Sequence, residues 1–176
     1  MRLLNKFFAR SAVVVATELI GCFLCRKLKD SKIQRLKIVE IEAYEGWNDK
    51  ASHASRGKTA RNAPMFEEAG TIYVYFTYGM HWMLNIVCGP KNYPSAILIR
   101  SLENVYGPAR LTKYLGIDKS LNNQKLGKSS GLWIEKNENY TKIHGRGKVN
   151  KLSRVGVAYA GPIWSQKKWR FVLKEI

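Results

Sequence analysis

Short runs of alternating apolar and polar residues dominate this chain, and only two stretches carry a helical rhythm. Ser11 can cap a helix over Ala12 to Arg26 with Val14, Leu19 and Phe23 on its buried side. Gly107-Pro108 opens a second helix over Ala109 to Tyr114, closed by Gly116. Strand patterns cover Leu36–Tyr44, Thr71–Tyr78, Trp82–Cys88, Ala96–Leu102, Leu132–Glu135, Lys151–Tyr159 and Trp169–Leu173, with turns at Asp30-Ser31 and Gly161-Pro162. Strands outnumber helices, and most links are short enough for antiparallel pairing. The pattern predicts a single α+β domain over residues 1–176, built on a curved, mostly antiparallel β-sheet with a few flanking helices. Glu45 to Glu68 interrupts the rhythm as a polar loop, and loops of that length are functional or disordered.

The strand Leu36–Tyr44 departs from the apolar-in, polar-out rule. Period two places Leu36, Ile38, Glu40, Glu42 and Tyr44 on one face and Val39, Ile41 and Ala43 on the other. Two acids among Leu, Ile and Tyr admit two readings. One is an edge strand whose glutamates meet arginine or lysine. The other is a carboxylate at work beside an aromatic wall, with a cation such as Arg100 nearby.

A second anomaly is Thr71 to Asn85: an aromatic strand, a tight turn at Tyr78-Gly79, and a return strand. Its tip of Tyr78, Met80, His81 and Trp82 is apolar in a chain with 30 Lys+Arg, 13 Asp+Glu and a formal charge of +17. An apolar wedge on a basic protein suits insertion into the base stack of a nucleic acid. Charge alone admits DNA, RNA or an anionic membrane surface. No run of about 18 apolar residues is present, so no segment is expected to span a bilayer. The three cysteines, Cys22, Cys25 and Cys88, are an odd, sparse set that fits a reducing cytoplasm. Cys22-Phe-Leu-Cys25 has CxxC spacing, but it falls inside the predicted helix without a second pair, which favours packing over zinc. With no metal-ligand cluster and no phosphate-cradling loop, neither metal nor cofactor is expected.

Several separated blocks resemble, in order, the alkyladenine (3-methyladenine) DNA glycosylases. They are Val39–Gly46, His53, Thr59-Ala-Arg-Asn62, Met65-Phe66, Gly70–Met80 with Asn85, Leu98–Glu103, Gly107-Pro108, Arg154–Val157 and Arg170-Phe171. The resemblance runs from Phe7 to Phe171 and implies an enzyme that hydrolyses the N-glycosidic bond of alkylated or deaminated purines in duplex DNA. It implies Glu42 as the general base that activates water, with Arg100 and the Val155 backbone carbonyl holding that water. Tyr44 is implied as one wall of the base pocket, with His53 and Tyr75 opposite, and His53 and the Ala51 backbone as hydrogen-bond partners of the lesion. Asn85 is implied to crowd the exocyclic amine of guanine, and Tyr78 to fill the gap left in the duplex, flanked by Met80 and His81. Arg61 is a candidate DNA contact.

The chemistry asks for such residues. A stacked base hides its glycosidic bond, so the nucleotide must leave the helix. Bond rupture builds positive charge on the sugar, which a carboxylate stabilises while orienting water. No lysine in the matched blocks suits a Schiff base, so a monofunctional hydrolase leaving an intact abasic site is expected, acting as a cofactor-free monomer in the cytoplasm. Bland readings stand beside these. Tyr73 and Tyr75 could be core aromatics, Arg100 a structural partner of Glu103 or Glu42, and His144 a solvated loop residue. Tyr78 is out of register with Tyr73 and Tyr75, so a strand running on to the turn would aim plug and walls apart. Compared with the family, the Glu103–Gly107 span is short, and Tyr159 stands where relatives often carry histidine. The rivals are a non-catalytic damaged-DNA-binding domain and an RNA-binding domain.

Overall fold

The computed structural model describes residues 1–138 and 149–174. Two short helices, α1 (Asn5–Phe8) and α2 (Ala12–Leu19), precede strands β1 (Phe23–Lys27) and β2 (Ile33–Glu45). After a long connection come β3 (Ile72–Thr77), β4 (His81–Val87), β5 (Ser95–Leu102), β6 (Val105–Tyr106) and helix α3 (Pro108–Tyr114). The chain ends with β7 (Leu132–Glu135), β8 (Val149–Leu152), helix α4 (Gly161–Ser165) and β9 (Arg170–Leu173). The strands form one curled antiparallel sheet in the order β3-β4-β5-β2-β1-β7. The small β6 pairs with β5, and β9 pairs with both β2 and β8. The predicted α+β class and antiparallel sheet are what the chain adopts.

Four predicted elements differ. The helix expected to reach Arg26 stops at Leu19, where Ile20 turns extended and Gly21 takes φ 87°. A left-handed glycine ends helices readily because it has no Cβ to clash. The residues beyond it, Phe23 to Lys27, form β1, so Cys25 lies on a strand opposite Arg35 and Trp133. An apolar run this short does not distinguish buried strand from buried helix by periodicity alone. Burial pushes the thiols of Cys22 and Cys25 up to about 11 and about 12, which makes them poor nucleophiles.

The expected strand Lys151–Tyr159 is confined to Val149–Leu152. From Ser153 the chain crosses over the sheet, led by the buried Arg154 side chain. Gly161-Pro162 begins α4 instead of standing as an isolated turn, with proline in the first turn, where its missing N–H is harmless. The polar loop after β2 contains a 3₁₀ turn, Ala63–Phe66, whose Met65 and Phe66 are buried. The reading of His144 falls outside the described residues.

The fourth correction matters most for function. The pairing of β2 with β5 is irregular twice in succession: an extra residue in β2 at Val39, between Ile38 and Glu40, is followed by one in β5 at Arg100, between Ser101 and Ile99, so the register is restored while the side-chain alternation changes phase in both strands. One extra residue flips the side-chain alternation. Ile38 and Ile41, three apart, therefore both join the main core, together with Leu36 and Ala43. Glu42 and Tyr44 turn to the opposite face, where Tyr44 packs with Ala51, Val157 and Ala160. The predicted face uniting Leu36 and Ile38 with the two glutamates does not exist, because the bulge separates the two halves of the strand.

The main core lies between the sheet and the helices. Phe8, Val15, Leu19, Leu111 and Leu115 pack on Ile41, Ile72, Val74, Leu84, Ile86, Ile97 and Ile99. Each of these is at least 99% buried except Val74, and truncating one of the isoleucines or leucines to alanine would cost about 2–5 kcal/mol. The strand period of two then dictates the residues on the opposite face. If Ile72 and Val74 face the helices, Tyr73 and Tyr75 face away; if Ile97 and Ile99 do, Leu98 and Arg100 face away. That second face is only partly covered, by the loop after β2 and the segment after β8.

Candidate active site

Between those covering segments lies a cavity of about 330 Å³, in the size range of small-ligand sites. Its floor is the outward-facing register of four strands: Tyr44 of β2, Tyr73 and Tyr75 of β3, Met83 and Asn85 of β4, and Ala96, Leu98 and Arg100 of β5. The rim comes from Ala51, Ser52 and His53 of the loop, Thr77 and Tyr78 of the β3–β4 hairpin, and Val155 to Val157 with Tyr159. The expected pocket residues Tyr44, Ala51, His53, Tyr75 and Asn85 all line it.

Glu42 is fully buried, one layer beneath this lining. Its carboxylate accepts from the Val155 backbone N–H at 2.7 Å on Oε1, and from the Tyr44 hydroxyl at 2.8 Å and Arg100 at 3.3 Å on Oε2. All three of those partners line the cavity. A buried carboxylate persists only when donors replace its lost water, and this one has a backbone amide, a phenol and a guanidinium. Burial and the neighbouring Glu42 push the Tyr44 phenol well above its ordinary range, so it remains a donor. The contact from Val155 to the acid is made by its N–H, an atom distinct from the carbonyl expected to hold water.

Arg100 bridges two acids, since its Nε also donates to Glu40 at 3.1 Å. Glu40 accepts further from the Ser101 hydroxyl at 2.7 Å and from Arg170 at 3.0 Å. Burial opposes the Glu40 charge, but Ser101, Arg170 and Arg100 outweigh it and hold the carboxyl below its usual value. Both glutamates meet arginine, as the first of the two sequence readings had it, but β2 is not the edge strand of that reading: it lies inside the sheet between β5 and β1, and the pair borders a cavity. Glu103 takes Lys37 instead, at 2.6 Å.

Three aromatic rings shape the cavity wall. His53 packs edge-on against Tyr75 with centroids 4.7 Å apart, and its Nδ1 lies 3.3 Å from the Tyr73 hydroxyl. His53 keeps an open edge, yet desolvation by its neighbours and then the charge of Arg61 lower its pKa, favouring the neutral ring. Burial raises the Tyr75 phenol to about 12. Arg61 sits with its guanidinium 5.3 Å from the Tyr75 ring centre and donates to the Phe76 carbonyl at 2.9 Å, so it braces the hairpin. Asn85 is held by its amide nitrogen, which donates to the carbonyls of Tyr73 at 3.2 Å and Met83 at 3.4 Å.

The hairpin tip resolves the register conflict. β3 ends at Thr77, and Tyr78 and Gly79 both take left-handed backbone, φ 52° and 66°, closed by the Met80 N–H to the Thr77 carbonyl at 3.2 Å. Two consecutive left-handed residues are the hairpin-turn signature, and glycine is the residue suited to them. Tyr78 occupies one of these strained positions and is 84% exposed, with Met80 66% exposed beside it. Strain of this kind, held at a solvent-facing aromatic, points to function. His81 opens β4 opposite Thr77, half-buried.

The sequence reading missed the support beneath the rim. Arg154 and Asp49 have fully buried side chains and form a two-pronged ion pair at 2.6 and 2.8 Å. Arg154 also donates to the carbonyls of Ala43 and Trp164, and its guanidinium lies 4.8 Å from the Tyr44 ring centre. Asp49 accepts from the N–H groups of Glu45 and Ala51. The pair thus clamps the loop that carries Ala51 and His53 onto the sheet. Asn62, nearly buried, closes the same loop by donating to the carbonyls of His53 and Gly57. Partners 105 residues apart leave no signal in local spacing.

Comparison with known proteins matches the stretches of chain that carry these residues. A family model for methylpurine-DNA glycosylase matches residues 6–107 and 103–176. A protein of Borreliella burgdorferi, carried under the name of a proposed 3-methyladenine DNA glycosylase, is 36% identical over 181 residues, covering 96% of this chain and 94% of its own. Similarly named relatives are 37% identical in Psychrobacter cryohalolentis, covering 93% of this chain and 86% of theirs, and 42% identical in Carboxydothermus hydrogenoformans, covering 78% and 81%. The chain belongs to the methylpurine-DNA glycosylase family.

Proposed function

We propose that this protein is a monofunctional DNA glycosylase that draws an alkylated or deaminated purine nucleotide out of the duplex and hydrolyses its N-glycosidic bond. One arrangement carries the reading: a buried carboxylate directly behind an aromatic-lined cavity, whose mouth is flanked by the exposed Tyr78. A flipped purine fits between Tyr44 on one side and His53 and Tyr75 on the other, its sugar towards Glu42 and Arg100. Electron-poor alkylated bases stack well on such rings.

Glu42 is the general base. A water lodged beside Tyr44, Arg100 and Val155 is one hydrogen bond from its carboxylate, and the contact from Arg100 is long enough, at 3.3 Å, to yield to it. Loss of the base leaves positive charge on the sugar, which the Glu42 carboxylate stabilises as the water attacks C1′ and gives up its proton. Tyr78, with Met80 and His81, fills the space the nucleotide leaves and offsets an unstacking cost of a few kcal/mol. The surplus of basic residues holds the phosphate backbone, so binding falls steeply with salt.

The test uses duplexes carrying single 3-methyladenine, hypoxanthine or ethenoadenine residues, with alkali to reveal abasic sites. The native protein should release at least one of these bases and leave the strand intact until alkali is added. Glu42→Gln should bind lesion DNA within a few-fold of the native protein and excise about 10²–10⁴-fold more slowly. Excision by Glu42→Gln at the native rate would remove the base from its role. Binding with no base release by the native protein would leave a damage-binding domain. Preference for structured RNA over lesion duplex would point to an RNA-binding one.

A further inference from the structure

The two extra residues in the β2–β5 pairing set an arginine between two acids. Glu40 pairs with Ser101 and Ile41 with Ile99, which leaves Arg100 unpaired in that ladder. Bulges beside working sites re-aim side chains in this way. Arg100 donates from Nε to Glu40 Oε1 at 3.1 Å and from Nη1 to Glu42 Oε2 at 3.3 Å. Glu40 does not itself line the cavity, yet its contacts reach round Glu42 on two sides. Its Oε1 also accepts from Arg170 at 3.0 Å, and its Oε2 from the Ser101 hydroxyl at 2.7 Å. Arg170 in turn donates from Nε to the Ser153 carbonyl at 2.8 Å, and Ser153 lies two residues before the Val155 N–H that binds Glu42. Two of the three donors to Glu42 are therefore tied to Glu40, Arg100 directly and Val155 through Arg170.

We propose that Glu40 is a positioning residue for the hydrolysis: it holds Arg100, and through Arg170 the segment leading to Val155, where Glu42 and its water need them. The inference rests on the glycosylase reading above and deepens it. A guanidinium is a planar fork whose direction is set by the groups it pairs with. Anchored on Glu40, Arg100 stays 3.3 Å from Glu42, longer than the about 2.7–2.9 Å of a tight charge-assisted contact. That looseness leaves Glu42 free to accept from water. Without the Glu40 charge, two guanidiniums would stand beside one acid, since Arg170 lies opposite Glu42 in the β2–β9 ladder. Arg100 would then close on Glu42 and occupy the lone pair that the water has to use, and a carboxylate so engaged is a weaker base. The side chains of Glu40, Arg100 and Arg170 are 17%, 15% and 24% exposed, so salt and solvent screen these contacts less than surface pairs.

The experiment compares native protein with Glu40→Gln, which keeps the shape of the side chain and removes its charge. Single-turnover excision with protein in excess, on duplexes holding 3-methyladenine or hypoxanthine, separates the chemical step from binding. Urea denaturation checks that the variant is folded at the assay temperature; if it is not, Glu40→Asp, which keeps the charge one methylene short, gives the same comparison. The chemical step should slow about tenfold, equal to about 1.4 kcal/mol, while Kd for the lesion duplex stays within about twofold. A residue that serves the fold alone would lower the urea midpoint and leave the rate of the folded, saturated protein unaltered. That result, or a loss confined to Kd, would overturn the inference. NMR adds a readout that needs no substrate. The Arg100 Nε–H signal, assigned by its disappearance in Arg100→Lys, should be protected from exchange in the native protein and broadened in Glu40→Gln. A signal that the substitution leaves unchanged would equally overturn the inference. If the native protein releases neither base, it is the glycosylase reading that fails, and the NMR comparison still decides whether Glu40 holds Arg100.

Discussion

Replacing Arg154 by methionine should expose how the cavity rim is supported. Methionine keeps most of the apolar stem and removes the guanidinium. Asp49, with no exposed side-chain surface, would lose both short contacts, at 2.6 and 2.8 Å, and keep only the N–H groups of Glu45 and Ala51 at 3.2 and 3.1 Å. The carbonyls of Ala43 and Trp164 would each lose a donor as well. Breaking a buried ion pair from one side costs about 3–5 kcal/mol, because the remaining charge is stranded without water. For a chain of this size each kcal/mol lowers Tm by about 2–4 °C, so the melt should fall by roughly 6–20 °C. Urea denaturation would give the same loss as a lower midpoint at unchanged slope. The rim loop should suffer before the fold does. At a temperature where the variant is still folded, KM for lesion duplex should rise, because Ala51 and His53 are no longer held in place. Replacing Asp49 and Arg154 together by asparagine and methionine should recover much of the stability, since no lone charge is left buried. A single Arg154→Met variant within about 1 kcal/mol of the native protein would refute the reasoning, because the pair would then support neither fold nor rim.

Three further outcomes follow from the geometry. Glu40 has its carboxyl pKa depressed in the folded state, so its contribution is present at neutral pH and is lost as pH falls below its ordinary value of 4.5. Urea midpoints measured from pH 6 down to pH 3 should fall less steeply for Glu40→Gln than for the native chain. His53 has its pKa lowered below 6.5, so its NMR titration should show a midpoint under that value, and Arg61→Gln should move the midpoint upward by removing a nearby cation. Because folding disfavours the charged ring, that site stabilises the protein above pH 6.5 and ceases to as pH falls. Tyr78→Gly should leave Tm unchanged or slightly raised, since it relieves a left-handed tyrosine, while lesion excision drops tenfold or more; full excision by this variant would cancel the plug role.

Much of the site was legible because strand periodicity and site chemistry coincide. Tyr73, Tyr75 and Asn85 lie on strands whose alternate residues are plainly apolar, so their shared face follows once the core face is known. The Tyr78-Gly79 turn and the strand Leu132–Glu135 were equally plain. Less was legible where one residue changes a phase. The bulge at Val39 left no mark in the pattern, yet it decides that Ile38 joins the core while Glu42 turns to the cavity. Gly21 was silent in the same way, since the apolar residues after it fit a helix and a strand alike.

The amino-acid order alone determined the strand-rich architecture, the apolar hairpin tip, the excess of positive charge and the blocks that resemble a glycosylase. These are properties of neighbours: alternation, turn chemistry and composition are set within a few residues. Folding decided what depends on partners far apart in the chain. It placed Glu42 behind Tyr44, Arg100 and Val155, joined Asp49 to Arg154 across 105 positions, and aimed the Tyr159 hydroxyl at Ala51. Hydrogen bonds and ion pairs are directional and short, so only the curvature of the sheet and the path of the loops over it could bring those groups within reach.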